Sequence, residues 1–302
     1  MDFLTSFKQN RALLMEGAMR ERLRREYGLK GDPEIGIAGL IYEEHGKRAL
    51  MELWRQYLEI AGQFRLPFIA MTPTRKTNRQ NVMKAGYGEN IIADNVLVLD
   101  YLKQNTDTEM YIGGLIGDGE TGEWTMTAEE SLEFHSWQAE KLAGNGADFL
   151  YAQSMSSLPE AEGVAEAMEQ TGLPYIVGLD FDADGMLPDG TRLSSVIEAI
   201  DQERDIKPLC YMARMHPHVV YRALSQEFNQ TDAVRNRLMA LEADPSCMGE
   251  ADVGQIIQSG SQELVSDIAR LSEIMDLKIV GGCNDADEVY LAEIARYLSF
   301  LK

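Results

Sequence analysis

Residues 174–181 read PYIVGLDF, and residues 277–282 read LKIVGG. Each is a near-continuous apolar run without the in–out alternation of a strand that has one wet face. Such runs belong to strands covered on both sides, as in a parallel sheet flanked by helices. Working outward from them, similar short β-rich runs stand at Leu13–Glu16, Phe68–Thr72, Met110–Ile116, Phe149–Gln153, Leu209–Ala213 and Leu238–Glu242. With Tyr175–Phe181 and Ile279–Gly282 they make eight predicted strands.

The stretches between them carry helix punctuation. Thr127 with Glu130, and Ser157 with Glu160, have capping-box spacing. Gly146 and Gly172 fall where helices should end, just before the next strands. In SLPEAEGVAEAMEQTG (157–172), Ala161, Val164, Ala165 and Met168 share one helical face. Eight strand–helix units in 302 residues predict an α/β fold, a closed (β/α)8 TIM barrel spanning 1–302 as a single domain. An open doubly wound sheet is the competitor, but no GxGxxG follows an early strand.

Composition narrows the function classes. Hydrophobic residues make up 45% and charged residues 25%, as a packed core with a solvated surface requires. The formal net charge of −21 repels phosphodiester backbones, so no nucleic-acid partner is expected. No apolar run approaches the ~20 residues that span a bilayer, so no membrane partner is expected either. MDFLTSFKQNRALLMEG (1–17) lacks the features of a signal peptide, and a cytoplasmic location is the expectation. Cys210, Cys247 and Cys283 form no CxxC pair, which argues against a disulfide framework and a closed structural zinc site. A homodimer stays open.

In a barrel of this kind, chemistry belongs to the C-terminal ends of the strands. The residues that fall there are Glu16, Thr72, Gln153, Asp180, Arg214, Glu242, Cys283 and Asn284.

Several of these ends carry a family resemblance. LLMEGAMRERL (13–23) resembles the opening "DGAMGT-L" of the homocysteine S-methyltransferases, with Glu16 in the acidic place. AQSMSSLPEAEGVAEAM (152–168) is similar to their "ETxxxLxEAxAA", with Gln153 where Glu is usual. ADGMLPDGTRL (183–193) resembles "DGxLxDGTxL", and GGCNDADEVYLAEIA (281–295) resembles the closing "GGCCGTxPxHIxxIA". The matches run in order over nearly the whole chain. The resemblance implies a barrel that moves a methyl group to a thiol, usually homocysteine. It also implies a catalytic zinc held by three cysteines, one after strand six and two in the closing GGCC. Zinc there would stabilise the substrate thiol as thiolate.

The sequence departs from that pattern at the metal. Cys283 fills the first closing place, but Asn284 fills the second, and an asparagine carbonyl is a poor exchange for a thiolate. The family's strand-six pattern is roughly "NCTxP". Aligning on Pro217 puts Arg214 in the cysteine's place; aligning on cysteine chooses Cys210 and demands an insertion. Residues 210 and 214 share parity but lie about 13 Å apart at ~3.3 Å per residue, so only one can stand at the mouth. The gap-free alignment favours Arg214, leaving Cys210 as an apolar plug. Zinc, with Cys283 as its remaining ligand, is then disfavoured, because a guanidinium stays protonated and repels a cation. His216 and His218 form an HxH pair that could substitute, although loop histidines of this kind are more often structural.

A site of this make-up suits a small anionic or zwitterionic substrate. Arg214 offers a fork for a carboxylate or phosphate. Cys283 beside a guanidinium should tend towards thiolate. Glu16 could hold an amino group or act as a base. Glu16, Arg214 and Cys283 are therefore the candidate catalytic residues. Gln153, Asp180, Gly281, Gly282 and Asn284 complete the candidate binding set, with the Gly281–Gly282 pair able to offer backbone N–H groups to a phosphate.

Other constellations carry less. DFDADGMLPDGT (180–191) starts like a calcium loop but has Thr191 where the bidentate Glu should be. No lysine ends a strand, since Lys207 and Lys278 precede theirs, which disfavours a Schiff-base aldolase. His135 and Trp137 sit in an outer helix as surface or packing residues. The expectation is a homocysteine S-methyltransferase-like enzyme with its zinc site lost or altered. The alternatives are a barrel enzyme acting on a phosphorylated or carboxylated metabolite, and a non-catalytic binding barrel; fold alone does not choose among them.

Overall fold

The computed structural model describes residues 1–118, 126–248 and 256–301. Eight parallel strands close into a barrel: β1 (Leu13–Met15), β2 (Phe68–Met71), β3 (Met110–Ile116), β4 (Phe149–Met155), β5 (Tyr175–Leu179), β6 (Cys210–Met215), β7 (Leu238–Ala243) and β10 (Ile279–Gly282). Around the ring the order is β1-β10-β7-β6-β5-β4-β3-β2. All eight strands stand where the apolar runs predict them. All five residues of β5 are buried, as a strand sandwiched between barrel interior and helix layer must be.

Boundaries moved by one or two residues. β6 begins at Cys210 and runs on to Met215, so Arg214 belongs to the strand itself. A short antiparallel hairpin, β8 (Ser246–Met248) with β9 (Ile256–Gln258), follows β7 and had no counterpart in the sequence reading.

The helix punctuation is real. Thr127 closes a full capping box with Glu130. Ser157 accepts from the Glu160 N–H, but the Glu160 carboxylate turns to the Ser156 N–H and hydroxyl instead of returning to Ser157. Gly146 and Gly172 both take positive φ, at 103° and 75°.

Two packed regions hold the barrel. One lies between strands and outer helices. The other fills the barrel itself, with Leu13, Ile69, Tyr111, Phe149, Ile176, Cys210 and Ile279 among its members. The N-terminal helix Phe3–Gln9 stoppers the bottom, where the Phe3 ring stacks on Phe149 at 4.0 Å. Cys210 is wholly buried in that interior, far below the opposite end. His135 is also wholly buried, in the helix Ala128–Gly144, with neither ring nitrogen hydrogen-bonded among the described residues; burial pushes its pKa down to about 4, so it packs as a neutral ring. No helix among the described residues is long and apolar enough to cross a membrane.

Candidate active site

β1 delivers Glu16 to the barrel mouth one residue past Met15. One carboxylate oxygen, Oε2, accepts from the Trp54 indole N–H at 3.0 Å and the Met71 backbone N–H at 2.9 Å. Burial nevertheless pushes the pKa up to about 8, overriding those two bonds, and nearby Glu242 adds to the rise. Glu16 therefore holds its proton at neutral pH. Gly17 must be glycine, because a Cβ there would lie 2.6 Å from the Ala286 carbonyl oxygen as the chain turns inward.

Across the barrel, Arg214 and Glu242 are direct register partners on β6 and β7. Arg214 Nε donates to Glu242 Oε2 at 3.1 Å. The Gln153 amide donates to both Glu242 oxygens, at 2.9 and 3.0 Å. A break in register within β4 and the positive φ of Ser154 (63°) set Gln153 at the strand's rim; irregular strands of this kind often stand beside functional sites. Arg214 Nη2 donates to Asn284 Oδ1 at 3.0 Å, and the Asn284 amide donates in turn to Asp244. Asn284 holds a left-handed φ of 52°, a conformation asparagine tolerates better than most residues.

Cys283 completes the group, its thiol facing the Glu242 carbonyl at 3.5 Å. Here the expected thiolate is corrected. Burial pushes the thiol well above its ordinary pKa; Arg214 pulls it down, but Glu242, Asp244 and Glu21 push the same way as burial. Cys283 stays protonated, and iodoacetamide should modify it in the native protein at pH 8 at least about tenfold more slowly than a free thiol. Fast alkylation would show that the guanidinium wins after all.

Three further expectations change on contact with the geometry. The Arg214 fork is partly spent, since Nε and Nη2 already serve Glu242 and Asn284; Nη1 meets no partner among the described residues. Gly281 and Gly282 do not present donors to a phosphate. The Gly282 N–H is donated to the Glu16 carbonyl and the Cys283 N–H to that of Ala243, and a Cβ on Gly281 would lie 2.8 Å from the Glu16 carbonyl oxygen. The glycines are there so that β10 can approach β1. Asp180 stands beyond β5, outside the cavity lining; burial raises its pKa and Arg214 pulls it back. Asp182, in the loop that starts like a calcium site, spends one oxygen on the N–H groups of Asp184 and Met186.

Glu16, Gln153, Arg214, Glu242, Gly282, Cys283 and Asn284 line one cavity of about 160 Å³. That is below the ~300 Å³ at which ordinary ligand pockets begin, and suits a small metabolite. Trp54, Met71, Thr72 and Leu115 supply its apolar side, and the Ile35–Ile37 turn covers it.

These residues do not make a zinc site. Among the described side chains the mouth offers one thiol, that of Cys283; a guanidinium occupies the neighbouring position, and the Asn284 oxygen is taken by that guanidinium. His216 caps the helix Pro217–Ser225 with one ring nitrogen and meets the Ser259 hydroxyl with the other. Among the described residues no three His, Cys, Asp or Glu side chains converge as ligands.

Sequence reasoning placed Glu242 and Thr72 at strand ends but gave them no role. It missed Trp54 and Asp244 altogether. Glu242 had a usable signal, an acidic residue at the end of the strand next to one ending in Arg. Trp54 had none, because it sits in the middle of the long helix Glu44–Phe64.

Comparison with known proteins gives a consistent picture. The family model described as homocysteine S-methyltransferase matches residues 13–298. The metallated form of the homocysteine methyltransferase MmuM from Escherichia coli superposes with a TM-score of 0.75 at 17% identity, covering 97% of this chain and 98% of that one. Its oxidized form gives 0.74 at 18% identity, with 96% and 97% covered. The carboxyl transferase domain of Rhizobium etli pyruvate carboxylase reaches 0.51 at 10% identity, covering 98% of this chain and 48% of that one. At such identities the structural likeness establishes the barrel fold. No curated protein sequence matches the chain.

Proposed function

The chain belongs to the homocysteine S-methyltransferase family, and from that premise we propose that it transfers a methyl group to or from a small sulfur- or nitrogen-containing metabolite without a bound zinc. Arg214 and Glu16 do the work at the mouth, with Gln153, Glu242, Cys283 and Asn284 holding the geometry. The reading rests on the Arg214–Glu242 pair and its bond to Asn284, which put a fixed positive charge beside Cys283. A guanidinium there binds an anionic end of a substrate through Nη1, and cannot be displaced by a metal at neutral pH.

With a thiol acceptor, Glu16 is the base. The thiol proton passes to the ionised fraction of Glu16. The sulfur lone pair forms the new S–CH₃ bond as the methyl carbon's bond to the donor heteroatom breaks. A sulfonium or quaternary ammonium donor leaves as a neutral thioether or amine, and Glu16 returns its proton to solvent. A carboxyl with a pKa of about 8 is close to that of a thiol (~8.5), the condition under which proton transfer is efficient. The same reading places the enzyme in the cytoplasm, with neither nucleic acid nor membrane as partner.

The test is methyl transfer from sulfonium and quaternary ammonium donors to a thiol panel, with a strong chelator present throughout. Product formation unchanged by chelator is the expected result. Activity that disappears with chelator and returns with zinc would overturn the metal-free reading, and the absence of methyl transfer together with ligand-induced stabilisation would favour a binding barrel. A constructive variant complements it. Arg214→Cys combined with Asn284→Cys joins two thiols to Cys283 and should take up about one zinc per chain by metal analysis, three protein ligands being what a catalytic zinc uses. No uptake would mean that the three positions do not converge.

A further inference from the structure

The barrel interior just below the mouth holds a donor and an acceptor that do not meet. Tyr151 stands on β4 two residues before Gln153 and packs inside the barrel, among Phe149, Ile176 and Met212. Its ring leans across β5, where Gly178 makes the room: a Cβ there would lie 2.8 Å from the ring and 2.9 Å from the hydroxyl oxygen. Gly178 is the register partner of Met212, two residues before Arg214 on β6. The phenol is wholly buried, and its hydroxyl makes no hydrogen bond among the described residues. Burial pushes its pKa well above the ordinary value; the Glu242 carboxylate pushes the same way, and the Arg214 charge opposes. The hydroxyl is thus within electrostatic reach of the Arg214–Glu242 pair.

Glu242 has accepting capacity to spare. A carboxylate offers about four lone-pair sites. Here Oε1 accepts from the Gln153 amide, and Oε2 accepts from that amide and from Arg214 Nε. The side chain is buried, so bulk water has little access to the rest. A dry phenol without an acceptor, close to a dry carboxylate with an open site, is an arrangement that costs free energy until the two pair.

Arg214 decides when they pair. Its Nη1 meets no partner among the described residues. An anion arriving there shares the guanidinium with Glu242 and weakens the Nε–Oε2 bond. The carboxylate, still buried, then needs another donor. Resting on the reading of Arg214 as the group that receives the substrate's anionic end, we propose that Tyr151 is a positioning residue of the mouth, donating its hydroxyl hydrogen to Glu242 when an anionic substrate occupies Arg214. Tyr151 stands outside the cavity lining and acts through Glu242. It lets the guanidinium turn to the substrate without stranding a buried charge.

Calorimetric titration of the whole protein with 3-mercaptopropionate, paired with urea unfolding of the free protein, tests this. Tyr151→Phe removes the hydroxyl alone. Affinity for 3-mercaptopropionate should fall about tenfold, the worth of one hydrogen bond to a charged group. The urea midpoint without ligand should hold or rise, because the free protein has no bond to lose at that hydroxyl. A purely structural hydroxyl would instead lower the midpoint and leave the affinity alone. Ligand binding to the unaltered protein should also move a tyrosine absorption band to longer wavelength, as a phenol gaining a carboxylate acceptor does, and Tyr151→Phe should lose that shift. Unchanged affinity, a lowered midpoint or a tyrosine shift that survives the substitution overturns the proposal. Methyl transfer by the unaltered protein, measured separately, would in that event leave the methyl-transfer reading standing. No binding of 3-mercaptopropionate to the unaltered protein would end this inference together with the anion-binding role of Arg214.

Discussion

Arg214→Ala is expected to cost the fold about 3 kcal/mol at pH 7 and to abolish substrate binding. Glu242 is 3% exposed, and its partners are Arg214 and the Gln153 amide. Without the guanidinium, a carboxylate stays buried against a single neutral donor. That is the circumstance in which truncating one member of an ion pair is most damaging, since the loss includes the desolvation cost of the survivor. The estimate sits at the low end for buried pairs because the Arg214 side chain is 28% exposed. Urea unfolding at pH 7 measures the stability loss. Arg214→Met combined with Glu242→Gln should recover much of the loss, because no charge is then stranded. Full stability of Arg214→Ala alone at pH 7 would show that the pair is solvated in solution.

The second large effect is carried by Glu16. Its pKa is 4.5 in the unfolded chain and about 8 in the fold, because burial disfavours the carboxylate. The fold therefore keeps a proton that the unfolded chain gives up. Its contribution to stability is whole below pH 4.5 and falls away until pH passes 8, at roughly 1.4 kcal/mol per pH unit. Over that window the loss amounts to roughly 3–5 kcal/mol. Glu16→Gln keeps an oxygen for the Trp54 and Met71 N–H groups and removes the titration. The variant should gain on the unaltered protein steadily from pH 5 to pH 8, in denaturant midpoints compared at each pH. Activity should move the other way. The kcat/KM for a thiol acceptor should rise through about pH 8 as Glu16 ionises, and Glu16→Gln should lose that limb. Parallel stability curves for the two proteins would mean that Glu16 is already ionised in the fold.

The barrel was legible because its cause is local and repeated. PYIVGLDF and LKIVGG are apolar almost throughout, since a strand between interior and helices has no wet face, and similar short β-rich runs stand at each of the eight strands. The helix caps were legible for the same reason, as Thr127 and Glu130 make their bonds within one turn. The mouth was legible only as an inventory. Glu16, Gln153, Arg214, Cys283 and Asn284 could be placed at strand ends by parity and alignment, but their protonation could not. Cys283 looked activated because aligning the strand ends set it beside Arg214, while burial and the carboxylates arriving from other elements decide the outcome.

What the chain determined by itself was the strand count, the inward parity of Arg214 on β6 and the excess of negative charge over the molecule, all properties of single segments or of their sum. What only the closed barrel decided was which groups meet. Trp54 comes from a helix distant in sequence to hold Glu16. Glu242 is shared by Arg214 and Gln153 from two other strands. Ring closure brings distant strand ends within hydrogen-bonding reach and removes them from water, and both pairing and pKa depend on that removal.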